Sequence, residues 1–390
     1  MHKELVIDNF KCFSEKTKIM LGKINVCLGS NSVGKSSVIQ SCILIRQIFE
    51  QAKLFKDAQV KKYKIQLNDI YGLQLGDAEH IKSSKDKEDI TLMLDEYEYK
   101  LTSVNESPME VETKNIYDVS EMSMKKGIFS EGFYYLNAER KGPRNYQMID
   151  SKVINNCGVY GENTIHLMNI LGNTNIDDER CFPLNKNKKV NTLNKQVEYW
   201  MDYIIPGIEI RTDDVMDLRI SKMTLRQPAL DTDFLSPYNF GFGISYVLPI
   251  IVTGLIAQKG SVVLIENPEA HLHPKGQSHI GYFLAIMAYA GIQIIVETHS
   301  EHVLNGIRIA ALENGINPKD ICINFFSIKK NGNDMQHLVE NIKLNERMDL
   351  ENWPEGFLDQ EEEDLRTMRQ LRKNVCNGYA CKQQNEETNG

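Results

Sequence analysis

The sequence has no excess of positive charge: 45 Lys and Arg stand against 53 Asp and Glu, for a formal net charge of −8. This excludes a protein whose whole surface is built for nucleic acid and leaves only a local basic groove, or one formed on assembly. Paired cysteines are also missing. The eight cysteines, at 12, 27, 42, 157, 181, 322, 376 and 381, include no CxxC pair. Cys27 and Cys42 sit in apolar segments as small hydrophobes, so reduced thiols are expected rather than a disulfide framework. The opening MHKELVIDNF lacks the apolar core of a signal peptide, and a cytoplasmic location is expected. Residues 240–257, FGFGISYVLPIIVTGLIA, come nearest to a membrane span, but they are few and carry Pro249 and three glycines. They predict a buried helix, and no membrane partner. There is no internal repeat and no long heptad array.

What is present is ordinary globular text: 390 residues, 42% hydrophobic and 25% charged, enough for two or three domains or subdomains. ELVIDNF and KINVCLG alternate as strands do. After GSNSVGKSS the period changes, and Val38, Cys42, Ile45, Phe49 and Ala52 fall on one helix face. Residues 60–135 are mixed, with YEYKL fitting an antiparallel strand with one wet face. FYYLNAER returns to an apolar strand. Residues 150–205 are polar and helix-compatible. Their Asn/Lys-rich piece, NKNKKVNTLNK (185–195), reads most simply as a solvated loop, with a phosphate-contacting patch as the alternative. From 239 on come a glycine-rich turn, an apolar helix, the strand SVVLIE, a helix from about 274 to 290, and the strand QIIVETHS. Strands alternating with helices predict a parallel sheet covered on both faces. QEEEDLRTMRQLRK suggests a charged helix before a polar tail.

The strongest chemical signal is Gly29-Ser30-Asn31-Ser32-Val33-Gly34-Lys35-Ser36, which fits G-x-x-x-x-G-K-[ST] between a strand and a helix. Backbone N–H groups of such a loop, Ser37 included, can surround phosphate; Lys35 reaches the β/γ-phosphates and the Ser36 hydroxyl suits Mg²⁺. A GTPase base-reading N-K-x-D motif is lacking, since Asn194-Lys195-Gln196-Val197 has no Asp, so ATP with Mg²⁺ is the expected cofactor pair. In SVVLIENPEAHLHP a buried strand delivers Glu266 to the carboxyl edge of the sheet, where a carboxylate can help hold Mg²⁺. VETHS places His299 at the end of the next strand, either as a satisfied strand-end histidine or as a γ-phosphate sensor. In NFGFGISY, Gly243 and Ser245 open a helix, either as a packing turn or as an anion contact. The histidines of HLHP have no third ligand at metal-site spacing.

The order of P-loop, glycine/serine helix start, acidic strand followed by Pro, and strand-end His resembles the ABC-type ATPase heads of the SMC, RecF and OLD group. More narrowly, FGFGISYVLPIIV, LIENPEAHLHPKGQS, VETHSEHVLNGIR and WPEGFLDQ resemble a bacterial AAA-type family with a DUF3696 C-terminal region. These motifs cover both ends of the chain and match the middle poorly. The resemblance implies an α/β ABC-type P-loop head with a mixed or parallel central sheet, an antiparallel β subdomain and an inserted helical lid. The expected divisions are 1–145 for the P-loop lobe, 146–235 for the insertion, 236–330 for the signature-helix, acidic-strand and switch-histidine lobe, and 331–390 for the DUF3696-like segment and tail. It further implies a head-to-head homodimer or higher oligomer around ATP, with Gly243 and Ser245 of one subunit facing the γ-phosphate held by Lys35 of the other. Arg140 and Arg144, in YLNAERKGPRNY, are phosphate or dimer-contact candidates, or plain surface arginines.

Such heads usually carry a Glu after the strand-end acid; here the slot holds Asn267, which can orient water but not take its proton. Loss of a positioned base typically costs about 10²–10⁴ in rate. Glu269 could supply the base after a sharp turn at Pro268, or could hold His271 or His273. The expectation is therefore a slow or partner-stimulated ATPase, with Asn267, Glu269 and His299 as the catalytic candidates. Three roles compete: regulator of a separately encoded nuclease or toxin effector in bacterial anti-phage defence, RecF/SMC-like repair clamp, or transporter motor. The missing heptads count against a clamp with long arms. No LSGGQ-like signature supports a motor. About 90 residues follow His299, which leaves little room for a nuclease domain, and the acidic run 361–364 reads as a solvated helix face. The defence role rests on the family resemblance, and nucleic acid would be met through the assembly.

Overall fold

The computed structural model describes all residues except 56–61, 85–86, 88, 105–106, 116, 151–154, 184–189, 332–333, 355, 358–362 and 373–390. The chain divides into residues 1–351 and 352–390. In the first unit, strands β1 (Glu4–Asp8), β2 (Thr17–Met20) and β3 (Ile24–Gly29) lead into helix α1 (Lys35–Leu54). Then follow β4 (Tyr63–Gln66), β5 (Ile90–Leu94), β6 (Tyr97–Val104), β7 (Ser107–Thr113), the short helix α2 (Val119–Met124) and β8 (Phe133–Leu136). An insertion contains β9 (Gln147–Met148), α3 (Thr164–Leu171), α4 (Leu193–Ile204) and the hairpin β10 (Glu209–Val215) and β11 (Ile220–Arg226). The chain returns through α5 (Phe242–Ile256), β12 (Val262–Glu266), α6 (Pro274–Tyr289), β13 (Gln293–Glu297), α7 (Glu301–Asn314) and the hairpin β14 (Ile321–Asn331) and β15 (Asp334–Ile342).

Two six-stranded sheets carry the architecture. One is antiparallel, in the order β2-β1-β5-β6-β7-β4; the other is mixed, in the order β15-β14-β3-β13-β12-β8. In the mixed sheet only the edge strand β15 runs antiparallel to its neighbour. The expected α/β class, with a mixed central sheet and an antiparallel subdomain, is what forms. β3, β8, β12 and β13 are buried nearly throughout, as strands covered on both faces must be. In β6 the alternation is visible, with Tyr97, Tyr99 and Leu101 buried and Lys100 exposed.

α1 lies against β4 of one sheet and β3 and β13 of the other. The single apolar face expected for it is therefore incomplete, because Ile39, Ile43, Leu44 and Ile48 are buried as well as Val38, Cys42, Ile45, Phe49 and Ala52. Each such side chain contributes about 1.5–3 kcal/mol of burial, so this helix joins the two sheets into one core. The insertion also differs from an all-helical lid: β9, β10 and β11 form a three-stranded antiparallel sheet.

The apolar segment 240–257 forms the buried helix α5, with Pro249 inside it. Among the described residues no helix is long and apolar enough to cross a membrane, and the described cysteines form no disulfide. Residues 185–189 of the Asn/Lys-rich piece, Glu361 and Glu362 of the acidic run, and the tail with Cys376 and Cys381 lie outside the described residues. In the second unit Trp353 meets Phe357 edge-on at 5.4 Å between ring centroids, and residues 363–372 are helical.

α6 and α7 pack at backbone contact. A Cβ on Gly306 would stand 1.8 Å from the Ser278 carbonyl oxygen, and one on Gly281 would stand 2.1 Å from that of Val303. Gly306→Ala must force the helices apart and is expected to destabilise the protein by about 1–3 kcal/mol or more. Urea denaturation of the two proteins measures this; equal midpoints would show that the helices part freely.

Candidate functional site

β3 lies between β14 and β13, both parallel to it, and delivers the 29–36 loop to the carboxyl edge of the sheet. The two motif glycines are required by geometry. Gly29 has φ 145, and a Cβ there would lie 2.2 Å from the Phe326 carbonyl oxygen. Gly34 has φ 112, and a Cβ there would lie 2.6 Å from both Cys12 Sγ and the Phe13 ring. α1 then starts at Lys35 with no side chain capping its first N–H groups, which leaves donors for an anion.

Lys35 is buried and its Nζ donates to the Ser30 carbonyl at 2.5 Å. Desolvation pulls its pKa down, against the pull of the Glu297 carboxylate. Asn31, Gly34, Lys35, Ser36 and Ser37 line a cleft of about 700 Å³ together with Asn267, Glu297 and His299. Val33 is buried, and its carbonyl hydrogen-bonds the His337 ring at 3.2 Å. The loop and the residues at the ends of two distant strands thus meet at one cleft.

Two carboxylates rather than one stand at this end of the sheet. β12 and β13 run in parallel register with Glu266 beside Glu297. Glu266 turns towards β8, where it accepts the Tyr135 hydroxyl at 3.0 Å and the Ala138 N–H at 3.3 Å. Glu297 turns towards the loop and accepts the Ser36 hydroxyl at 2.9 Å on Oε1, while its buried Oε2 has no partner. Burial first, then the charge of Glu266, push the Glu297 carboxyl up to about 7. Burial also raises Glu266.

Asn267 follows in left-handed backbone, with φ 44. Asn tolerates that conformation better than most residues, Glu included, so the backbone itself favours the residue found in this slot. Its N–H donates to the Glu297 carbonyl at 2.9 Å, and its buried side-chain oxygen is unpartnered.

Several candidates have different work. Both oxygens of Glu269 are engaged, accepting the Thr298 hydroxyl at 2.7 Å and the His299 N–H at 2.8 Å. Glu269 therefore braces the 298–299 turn instead of holding His271 or His273. The His271 ring packs on Phe242 and Tyr246 at 5.3 and 4.6 Å, and the His273 ring accepts the Lys275 N–H at the start of α6. Desolvation and then Lys35 lower the His299 pKa, while the Glu269 carboxylate and a hydrogen bond to the Gly29 backbone oppose them. Ser300 explains the last letter of VETHS, since its hydroxyl caps α7 at Val303.

Arg140 is neither a surface arginine nor a free phosphate contact. It is buried and donates to the carbonyls of Tyr246 (3.0 Å), Asn137 (2.8 Å), Glu266 (2.7 Å) and Asn267 (2.7 Å). Desolvation lowers its pKa to about 10. Arg144 is exposed. Gly243 and Ser245 are both buried within their own chain, which leaves Gly241 and Phe242 as the exposed start of α5.

Three residues of the site escaped the sequence reading: Glu297, Tyr135 and Lys11. Lys11 lines the cleft, and its ammonium donates to Gln40 Oε1 at 2.8 Å. The acid of VETHS was in plain view, but only the strand order shows that it faces Ser36.

The donors also fit a nucleotide-bound Mg²⁺. A hydroxyl, a carboxylate with an unpartnered buried oxygen and a neighbouring amide oxygen are hard ligands. Among the described residues no three acidic, His or Cys side chains form a group that could hold a metal ion by themselves.

Residues 201–305 match the family described as AAA domain, putative AbiEii toxin, Type IV TA system. Residues 316–368 match the DUF3696 family of unknown function. Among curated proteins none matches. Solved structures similar to the chain include an SMC head domain from Thermotoga maritima, with 10% identity over 88% of this chain and 99% of that one and a TM-score of 0.41. Another is an Smc head with an extended coiled coil bound to the C-terminal domain of ScpA, derived from Pyrococcus furiosus, with 10% identity over 94% and 99% and a TM-score of 0.46. A third is an SmcHead bound to the C-winged helix domain of ScpA, with 12% identity over 87% and 97% and a TM-score of 0.47.

The Arg140 network gives a test of the site's frame. Arg140→Met strips donors from four carbonyls at once, and the expected loss of stability is at least about 3 kcal/mol. Urea denaturation followed by circular dichroism measures it, and a loss comparable to that of an exposed Arg144→Met control would contradict the network.

Proposed function

We propose, on the matches of residues 201–305 to the AAA family and of residues 316–368 to the DUF3696 family, that the chain binds ATP with Mg²⁺, hydrolyses it slowly, and uses it to hold two copies head to head. The observation that carries this reading is Asn267: a complete phosphate-binding loop faces a wall whose expected base is an amide in left-handed backbone. Mg²⁺, when bound with ATP, supplies charge neutralisation at the β- and γ-phosphates. In this reading Lys35 meets the β/γ-phosphates, Asn267 orients the attacking water and His299 contacts the γ-phosphate. Glu269 fixes His299 through the Thr298–His299 turn. The in-trans role passes from Gly243 and Ser245 to the uncapped start of α5 at Gly241 and Phe242, which is exposed.

The output of such a switch is the control of a separately encoded nuclease or toxin in anti-phage defence, in the cytoplasm. The description of the matched family, which names a putative toxin of a TA system, supports the defence setting of this reading.

Turnover and oligomeric state test the proposal together. The unmodified protein is expected to turn over well below the median enzyme rate of about 10 s⁻¹ and to dimerise with ATP and Mg²⁺ by light scattering. Lys35→Ala abolishes both. Asn267→Glu restores a carboxylate to the slot and raises turnover by at least about ten-fold. Fast turnover by the unmodified chain, or no gain in Asn267→Glu, would sink the slow-switch reading. Recovery of the chain from its native host with a nuclease or toxin tests the output; recovery without either argues against it.

A further inference from the structure

The proposed nucleotide site contains two acids, and their partners differ. Glu266 occupies the position where the motif order puts the cation-facing carboxylate. Its oxygens are nevertheless committed to the Tyr135 hydroxyl and the Ala138 N–H, on the β8 side. Its backbone carbonyl is held by Arg140 at 2.7 Å. Glu297 lies one strand nearer the loop, because β13 separates β12 from β3. It touches the hydroxyl of Ser36, lines the cleft together with Lys35 and Asn267, and is only 6% exposed. One of its oxygens is buried with nothing to accept from. A buried carboxylate oxygen without a partner costs stability unless a cation or donor comes to it.

Resting on the ATP-binding reading above, we propose that Glu297, paired with Ser36, is the carboxylate that faces the nucleotide-bound divalent cation, and that Glu266 is a positioning residue that fixes the end of β12 through Tyr135, Ala138 and Arg140. The assignment shifts the cation towards the sheet centre and the loop. It also gives VETHS two functions in three residues, with an acid for the cation and a histidine for the phosphate.

The test is cation dependence of nucleotide affinity in the full chain. ATP binding is titrated calorimetrically in EDTA and in MgCl₂, and Mn²⁺ binding to the ATP-loaded protein is followed by loss of the free Mn²⁺ resonance signal. The unmodified protein should bind ATP more tightly with Mg²⁺. Circular dichroism reports that Glu297→Gln and Ser36→Ala are folded, and the Mg²⁺ enhancement of each is taken against its own affinity in EDTA. Both should lose at least about ten-fold in Mn²⁺ affinity and most of the Mg²⁺ enhancement. Glu266→Gln should retain the enhancement. Full Mg²⁺ enhancement in Glu297→Gln, or its loss in Glu266→Gln alone, overturns the assignment, as does ATP binding by the unmodified chain that Mg²⁺ does not strengthen. If the unmodified protein binds no more ATP than Lys35→Ala in either buffer, the underlying nucleotide reading fails instead.

Discussion

The guanidinium of Arg140 is the interaction around which the site is arranged. Three parts of the chain that are distant in sequence end near one another: the exit of β8, the second turn of α5 and the exit of β12. Each leaves a carbonyl oxygen pointing inward, and a buried carbonyl without a donor is costly. One planar fork of N–H groups satisfies all of them, at Asn137, Tyr246, Glu266 and Asn267. A lysine ammonium, with three donors on a single centre, could not span them. With the fork in place, the acid-bearing strand end and the helix that opens at Gly241 have a fixed relation, and the cleft wall has a defined shape before any ligand arrives.

That wall shows how a backbone constraint and a chemical one can meet at one residue. Position 267 must turn the chain out of β12, donate to the Glu297 carbonyl and take a positive φ. Asparagine does all three at low cost. A residue chosen for basicity would donate its backbone N–H equally well but would be more strained at that φ, so the amide in this slot follows from the turn as well as from the chemistry.

What the sequence disclosed follows the range of the interactions involved. The phosphate-binding loop is local: its glycines, lysine and serine are contiguous, and the strand and helix around it were legible from period alone. The buried strands β12 and β13 and helices α5 and α6 were legible as well, because apolar runs with Gly, Pro and Asn at their ends leave little choice. Glu297 was not legible as a site residue, because its importance depends on β13 lying between β12 and β3. The burial of Ser245 and the role of Arg140 depend in the same way on packing across the fold. The hairpin at 209–226 was missed for a different reason. β10 buries none of its side chains fully, so the alternation that marks a strand is faint in EIRTDDV.

The close approach of α6 and α7 has a mechanical consequence. Each helix begins directly after one of the two turns that form the cleft wall: α6 after the 267–273 turn and α7 after the 298–300 turn. At Gly281 and Gly306 the two helices meet backbone to backbone, with no side chain between them to deform. Glu269 bridges the turns themselves. The two turns are thus joined twice, through Glu269 and through the helices that leave them, so the histidine and amide sides of the cleft wall belong to one packed piece of the fold.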